Sequence, residues 1–299
     1  MAHNLYTPAQ AARSILAALR WLSVLPRTVR QDFSQEFVPG RGATINVLRP
    51  ISAGEANTYG PTERAARTAI SFNDLAQTYI PVSMDTQVYN AVRLPDDFAT
   101  FTLASLEQQV LLPQAQSVVD ALYAPLVAEM TAIEPVDGVT DGATAENILA
   151  KITRARKVLN DRAVPFQDRT LAVGTEVAAM ILDLEQLTDA GRSADNGGAL
   201  REATIGRIRG FNVVEDPALP DDFAVAYHKD AFTHVTRPSR QPEGAAKSAV
   251  VSQDGFALRW IQHYNPLQLE DQSVVDTFVG AETLDANRAV AITLSDDAS

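Results

Sequence analysis

Apolar residues recur every three or four positions near the start of the chain. Ala11, Ile15, Ala18, Leu19 and Leu22 fall on one face of a helix. Thr7 is placed to cap it, Pro8 suits its first turn, and Pro26 ends it. A terminal helix of this kind can serve as an arm that docks elsewhere. The pattern then changes. Thr44 to Leu48 (TINVL) alternates polar and apolar, which predicts a half-buried strand that Pro50 stops. Residues 52–68 (SAGEANTYGPTERAART) are polar and carry Gly54, Gly60 and Pro61, so they predict an exposed, mobile tip. A second strand signal returns at Gln77 to Ser83. The expected unit is a long hairpin whose tip needs a partner or solvent.

Asp96 offers the next cap, and the spacing predicts a helix from Phe98 to Ile133. About 36 helical residues would span about 54 Å. Pro113 and Pro125 each remove a backbone donor, so kinks or a break are expected there. Such a helix suits the spine of an elongated subunit. A turn-rich boundary follows at 134–143, then a helix over 145–160 and a short buried strand over 170–173. A helix from Thr175 to Leu187 and a loop from Asp189 to Gly198 come next. Ile205 to Val214 is strand-like with two glycines. Phe223–Tyr227 and Ala231–Val235 are strand candidates, Gln241–Ser248 a loop, Phe256–Tyr264 a long alternating strand, and Ala289–Leu294 a closing strand. No repeat is present. The order is α+β with an extended hairpin, not an alternating βαβ series.

Composition narrows the chemistry. With no cysteine among 299 residues, disulfides, cysteine-held zinc and thiol catalysis are all removed, which is compatible with a reducing cytoplasm. No uninterrupted apolar run reaches the roughly 20 residues of a membrane span. Ile15–Leu25 is broken by Arg20 and has no small-residue cleavage site after it, so no membrane partner is expected. The net charge of -12 argues against nucleic-acid binding through the overall field. Charge is nevertheless segregated. Arg13, Arg20, Arg27, Arg30, Arg41 and Arg49 stand in the first fifty residues against Asp32 and Glu36 alone.

Candidate catalytic patterns fail individually. Gly40-Arg41-Gly42 opens like a dinucleotide loop, but Ile45 stands where the third glycine belongs. There is no GxxxxGK[ST] and no GxSxG. The histidines are His3, His228, His234 and His263. His228 and His234 lie in neighbouring strand-like segments and could approach each other around a metal or as a general base; without HExxH, ordinary packing is the expectation. His228-Lys229-Asp230 has no further partner to orient a base. Asp137, Asp141 and Glu146 lack the spacing of a calcium loop. Trp21 and Trp260 read as packing residues. No catalytic residue, metal or cofactor is implied.

The order of elements carries a resemblance. NLYTP opens the arm; QDFSQEF leads into GATINVLRP; DDFATFTLASLEQQVLLPQAQ opens the spine helix with its proline. RTLAVGTEVAAMIL, IGRIRGFNVVEDPALP, AYHKDAF and DGFALRW follow in order. Over nearly its whole length the chain resembles major capsid proteins of tailed bacteriophages with the Hong Kong 97-type fold, near the podophage coat-protein branch. The resemblance implies an N-terminal arm (1–40), an extended hairpin or E-loop (41–90), a peripheral domain with the spine helix (91–165 and 250–287), and an axial domain (166–249 and 288–299). It implies a non-enzymatic shell subunit, assembled in the host cytoplasm and found in the virion capsid. Its partners would be copies of itself in hexamers and pentamers, scaffolding, portal and decoration proteins, and packaged DNA contacted without sequence specificity. The chain departs from some relatives in having no clear insertion domain. Its lysines (Lys151, Lys157, Lys229, Lys247) lie outside the hairpin, which argues against covalent cross-linking. Arg64 and Arg67 at the hairpin tip, with Arg13, Arg20, Arg27 and Arg30 in the arm, are the expected contacts to neighbours or to the lumen. The alternatives are an encapsulin-like compartment shell, which would share the fold, and a soluble α+β enzyme using His228 and His234.

Overall fold

A computed structural model of the chain describes residues 8–22, 24–35, 42–48, 56–72, 79–101, 105–134, 147–183, 206–244, 247–253 and 256–293. The Thr7 cap, most of the 134–143 boundary, the 189–198 loop, His3, Arg41, Arg49 and the Asp137/Asp141/Glu146 trio lie outside these residues, as do the side chains of Trp21 and Arg20.

Helix α1 (Pro8–Leu22) forms where its apolar periodicity places it. It does not leave the subunit: Ala11, Ala12, Ile15 and Leu16 are buried against the spine helix and the main sheet. A 3-10 turn (Leu25–Thr28) follows and contains Pro26. Strands β1 (Thr44–Leu48) and β2 (Tyr79–Ser83) pair antiparallel, Thr44 opposite Ser83 and Leu48 opposite Tyr79. This is the expected hairpin. Its excursion carries a short helix, α2 (Pro61–Ala66), which polarity alone did not announce.

Strand β3 (Thr86–Pro95) then runs into α3 (Asp96–Phe101). The helix expected from 98 to 133, with kinks or a break at its prolines, is not regular throughout. After α3, a π-helical turn (Glu107–Leu111) leads into α4 (Leu112–Thr131). The π-helical turn ends just before Pro113, which sits in the first turn of α4 and lacks the N–H that a continuing regular helix would use there. Pro125 is carried inside the helix. The stretch Gln108–Thr131 has the length and mean hydropathy (1.2) of a membrane span, and half of its apolar window is buried inside the subunit. Val118, Leu122, Leu126 and Met130 form the buried stripe.

The main sheet is β3-β11-β10-β9, with β9 Lys247–Gln253, β10 Phe256–Asn265 and β11 Glu270–Thr283. Strand β8 (Phe232–Arg237) pairs with the far end of β11. On β10, Phe256, Leu258 and Trp260 turn inward beneath α1 and α4. A polar relay fixes α4 on this sheet. Trp260 Nε1 donates to Ser273 Oγ at 3.0 Å, Ser273 Oγ donates to Gln114 Oε1 at 2.9 Å, and Gln114 Nε2 donates to the Ser273 carbonyl at 3.0 Å. A buried network of this kind specifies one seating of the helix because each member left unpaired would cost about 1–3 kcal/mol.

The second sheet is β12-β7-β4-β6-β5, with β4 Arg169–Val173, β5 Arg207–Ile208, β6 Phe211–Glu215, β7 Phe223–His228 and β12 Ala289–Thr293. Helices α5 (Ile148–Asp161) and α6 (Thr175–Leu182) pack on it through Ile152, Leu159, Val177 and Ile181. The expected single strand over 205–214 is instead the β5–β6 hairpin. Its two turn residues, Arg209 and Gly210, both have positive φ, 50° and 93°, as a tight primed turn requires. Helix α5 joins the second sheet, whereas β8 and β9 belong to the first.

Candidate assembly surfaces

The hairpin is fixed at its base and bare at its tip. At the base, Phe33, Val47, Val82, Met84, Val235 and Leu284 form a small core of their own. At the tip, α2 is braced by polar contacts. Gly60 N donates to Glu63 Oε2 at 3.0 Å, Tyr59 Oη to the Thr68 carbonyl at 2.9 Å, and Asn57 Nδ2 to Ser71 Oγ at 3.1 Å. These bonds give the tip a shape without giving it a core: no residue of α2 is buried. Arg64 and Arg67 are both exposed, and neither is ion-paired with a carboxylate among the described residues. Arg67 holds the left-handed conformation (φ 49°) that closes α2, a position glycine or asparagine fills at less cost.

The residues that sequence reasoning missed stand just beyond the polar stretch. Ile70 is 61% and Phe72 85% exposed. Their spacing of two, with Ser71 between, was the available signal, since it puts both on one side of an extended segment. A second projecting apolar point is the β10–β11 turn, where Leu267 is 93% exposed and Leu269 is held at φ 51°. That turn is rigid: Asn265 Oδ1 accepts from Leu267 N at 3.1 Å, and the Leu269 carbonyl accepts from Asp96 N at 3.2 Å.

The arm arginines separate. Arg13 and Arg27 are exposed. Arg30 is instead tied into its own subunit. Its side chain reaches Asp32 (3.4 Å) and Asp230 (3.7 Å) and lies 4.7 Å from the Phe33 ring centroid, while its backbone bridges to β8. Asp230 also receives Arg288 at 3.3 Å. Arg30 therefore helps fix the 3-10 turns Leu25–Thr28 and Asp32–Gln35 against the two crossovers between the sheets.

The two histidines that could have formed a site are in different sheets. His228 ends β7, and its Nδ1 accepts from Asp230 N at 3.2 Å. His234 lies in β8, fully buried, with Nε2 3.3 Å from the Leu122 carbonyl and no partner at Nδ1. Among the described residues no group of three or more metal-binding side chains exists. An open groove of about 750 Å³ between α4 and the β6–β7 loop is floored by Val119, Tyr123 and Val127 and bordered by Asp120, and it holds no histidine, serine or lysine.

Burial pushes the His234 imidazole down to about 4, against the weaker opposite pull of the Leu122 carbonyl. Below about pH 6.5 the unfolded chain binds a proton here that the folded chain refuses until about 4, so stability falls as pH drops through that window. The loss reaches about 3 kcal/mol at the acid end. Urea unfolding of the unassembled subunit at pH 7 and pH 4.5 should show it, and His234→Leu should flatten that limb. An unchanged acid limb in the variant would show that His234 is not its source.

No protein-family model and no curated protein matches the sequence. Solved structures do match the fold. A structure from Mycobacterium phage Che8 is 17% identical, covers 90% of each chain and has a TM-score of 0.66. The capsid of a native GTA particle is 10% identical over 99% of this chain and 93% of that one, with a TM-score of 0.58. A virus-like particle from Pyrococcus furiosus is 11% identical over 95% and 97%, with a TM-score of 0.54. The matches extend over almost the full length of each chain, and the α+β fold is the Hong Kong 97-type capsid fold.

Proposed function

We propose that the protein is a major capsid protein, a structural and non-enzymatic subunit that assembles with copies of itself into the icosahedral shell enclosing phage DNA. The observation that carries this reading is the hairpin. It is anchored by a core at one end and ends in a tip none of whose described residues is buried, with Phe72 and Ile70 exposed beside two arginines. Ordering such an extension costs conformational entropy that a lone subunit does not recover. A neighbouring copy beneath it supplies the burial, and repeated heterologous contacts close through symmetry. The likeness to capsid structures supports the same reading. In this reading copies meet in hexamers and pentamers. Arg13, Arg20 and Arg27 face a neighbour or the lumen, with packaged DNA contacted there without sequence specificity. Scaffolding, portal and decoration proteins are the further partners, and assembly takes place in the host cytoplasm.

Expression of the full chain, alone and with a scaffolding protein, followed by sedimentation and negative-stain imaging, tests it. Closed shells are expected; a chain that stays monomeric at high concentration in both conditions sinks the reading. Nucleic acid inside particles made in the infected host distinguishes a phage shell from a compartment shell. Within the same assay, Arg64→Glu with Arg67→Glu should leave subunit melting nearly unchanged, because exposed charges contribute at most about 1 kcal/mol to the fold. Shell yield should fall, and more at low salt, where repulsion is least screened. Equal yields at low salt would remove these arginines from the interface.

A further inference from the structure

The second sheet carries a charge separation that the net acidity conceals. Strands β4 and β6 run parallel, with Thr170 opposite Asn212 and Val173 opposite Glu215, so their starts lie at one end of the sheet and their finishes at the other. Four arginines gather at the starting end. Arg207 and Arg209 belong to the β5–β6 turn and are exposed. The Arg156 guanidinium lies over the same turn, 3.6 Å from the position a side chain at Gly210 would take. Arg169 is buried beneath. Its three bonds go to the Pro165 and Val164 carbonyls and to Asn160 Oδ1, all neutral acceptors. Burial first and the neighbouring Arg156 charge second push the Arg169 guanidinium down from its ordinary value. None of the four is ion-paired with a carboxylate among the described residues.

The finishing end is acidic. Glu215 closes β6, Asp221 accepts from Thr175 Oγ1 at 2.8 Å, Asp222 follows it, and Glu176 stands in the first turn of α6. About four residues of extended chain separate the two ends, roughly 13 Å at 3.3 Å per residue. That exceeds the screening length of about 8 Å at physiological salt, so the two ends do little for one another within a subunit.

The turn itself offers a second observation. Arg209 holds φ 50°, where a bulky side chain is strained by about 1–2 kcal/mol and asparagine or glycine is the ordinary choice. The strain brings Arg209 no ion-pair partner among the described residues.

We infer that the Arg207–Gly210 turn, with Arg156 beside it, is a docking face for the acidic end of the same sheet in a second copy. Contacts of this head-to-tail kind join unlike ends and form closed rings where the rotation between copies closes, which is what the shell reading, on which this inference rests, requires of a capsomer. Each basic end meets Glu215 and Asp222 of the next copy, and the like-charge repulsion of an acidic chain is relieved where copies touch.

Two charge-reversed chains test this. Arg207→Glu/Arg209→Glu is acidic at both ends, and Glu215→Arg/Asp222→Arg is basic at both ends. Each alone should lose at least tenfold in capsomer and shell yield at 50 mM salt, with subunit melting held. Mixed in equal amounts, the two should recover most of the six-membered capsomer yield by alternating around the ring, whereas a five-membered ring keeps one like-charged contact, so shell yield should recover less. Arg209→Asn adds a control: it relieves the left-handed strain, so melting should hold or rise while yield falls. Wild-type yield from either reversed chain alone, or a mixture no better than its components, overturns the inference. So does normal yield with reduced nucleic-acid content, which would give the basic end to a polyanion. Failure of the wild-type chain to assemble at all would instead sink the shell reading.

Discussion

Gly280→Ala should cost the unassembled subunit roughly 2–3 kcal/mol, the range for forcing an extra methyl into a packed site. Gly280 lies in β11 where the β2–β3 corner crosses it. A Cβ placed there would stand 2.1 Å from the Ser83 carbonyl oxygen, 3.0 Å from the Ser83 carbonyl carbon and 3.2 Å from Met84 Cα. All three atoms are backbone, so no rotamer change relieves the clash. Either β11 or the corner must shift. Val82, Met84, Val235 and Leu284 pack at this place, and Phe278 leans on them, so a shift also loosens the base of the hairpin. For a chain of this size the loss corresponds to a fall of roughly 3–5 °C in Tm. Gly244→Ala is the matched control, since no atom lies within 4 Å of the Cβ it would gain. Thermal melting of the two variants beside wild type decides the matter. If Gly280→Ala melts with Gly244→Ala, the close crossing is wrong. Gly174, whose Cβ would meet the Pro220 carbonyl oxygen at 2.0 Å, should behave like Gly280.

Gly280 also shows why parts of this fold are hard to read from sequence. Strand β11 is the longest among the described residues and lies between partners on both sides, yet it gives little strand signal. Its residues EDQSVVDTFVGAET are polar at positions that are buried. Each buried polar group is satisfied by something remote in sequence. Asp276 receives Arg259 at 2.8 Å and Gln87 at 2.7 Å; Ser273 receives Trp260; Thr277 Oγ1 donates to the Ala257 carbonyl at 2.7 Å. A hydrophobic pattern registers burial only where burial is apolar, so a strand stabilised by distant polar partners is invisible to it. Strand β9 escaped for a simpler reason: at a sheet edge it keeps exposed positions, Val250 among them, and reads as loop.

Where burial is apolar, the pattern is legible. Strand β1 occupies Thr44–Leu48 and β4 begins one residue before the expected start, because their alternation or apolar run is clean and local. The spine helix was legible in extent, and Pro113 marked where its geometry changes: the π-helical turn ends just before that proline, a change that the three- or four-residue period alone does not register, because the apolar residues on either side keep their spacing. The hairpin's surface was half legible. Polarity located the arginine-bearing tip, but its short helix rests on a proline at the first position and the Glu63 side chain returning to Gly60. The charge-separated ends of the second sheet were illegible in principle. Arg156, Arg207 and Glu215 are brought into their places only by the register of β4, β5 and β6.

The largest effect on assembly should come from the apolar pair rather than the arginines. Ile70→Asp with Phe72→Asp should leave the melting of the unassembled subunit within a degree or two of wild type, because both side chains already face solvent, Phe72 at 85%. In the shell they have something to gain. Burying one such side chain against a neighbour is worth about 1.5–3 kcal/mol, so the pair contributes roughly 4 kcal/mol per contact. At 1.4 kcal/mol per factor of ten, that is nearly a thousandfold in the association constant at each hairpin. The exposed arginines supply at most about 1 kcal/mol each, and salt screens them. The two contributions are therefore separable. With the Asp pair, the subunit concentration needed for shells should rise by two to three orders of magnitude, and added salt should recover little of the loss. With the arginine reversals, the rise should be smaller and should shrink as salt is added. Sedimentation of particles across a concentration series at low and high salt reads both. Shells forming at the wild-type concentration from the Ile70→Asp/Phe72→Asp chain would mean that the tip stays in solvent after assembly, and the hairpin would lose its place as the contact that carries the shell.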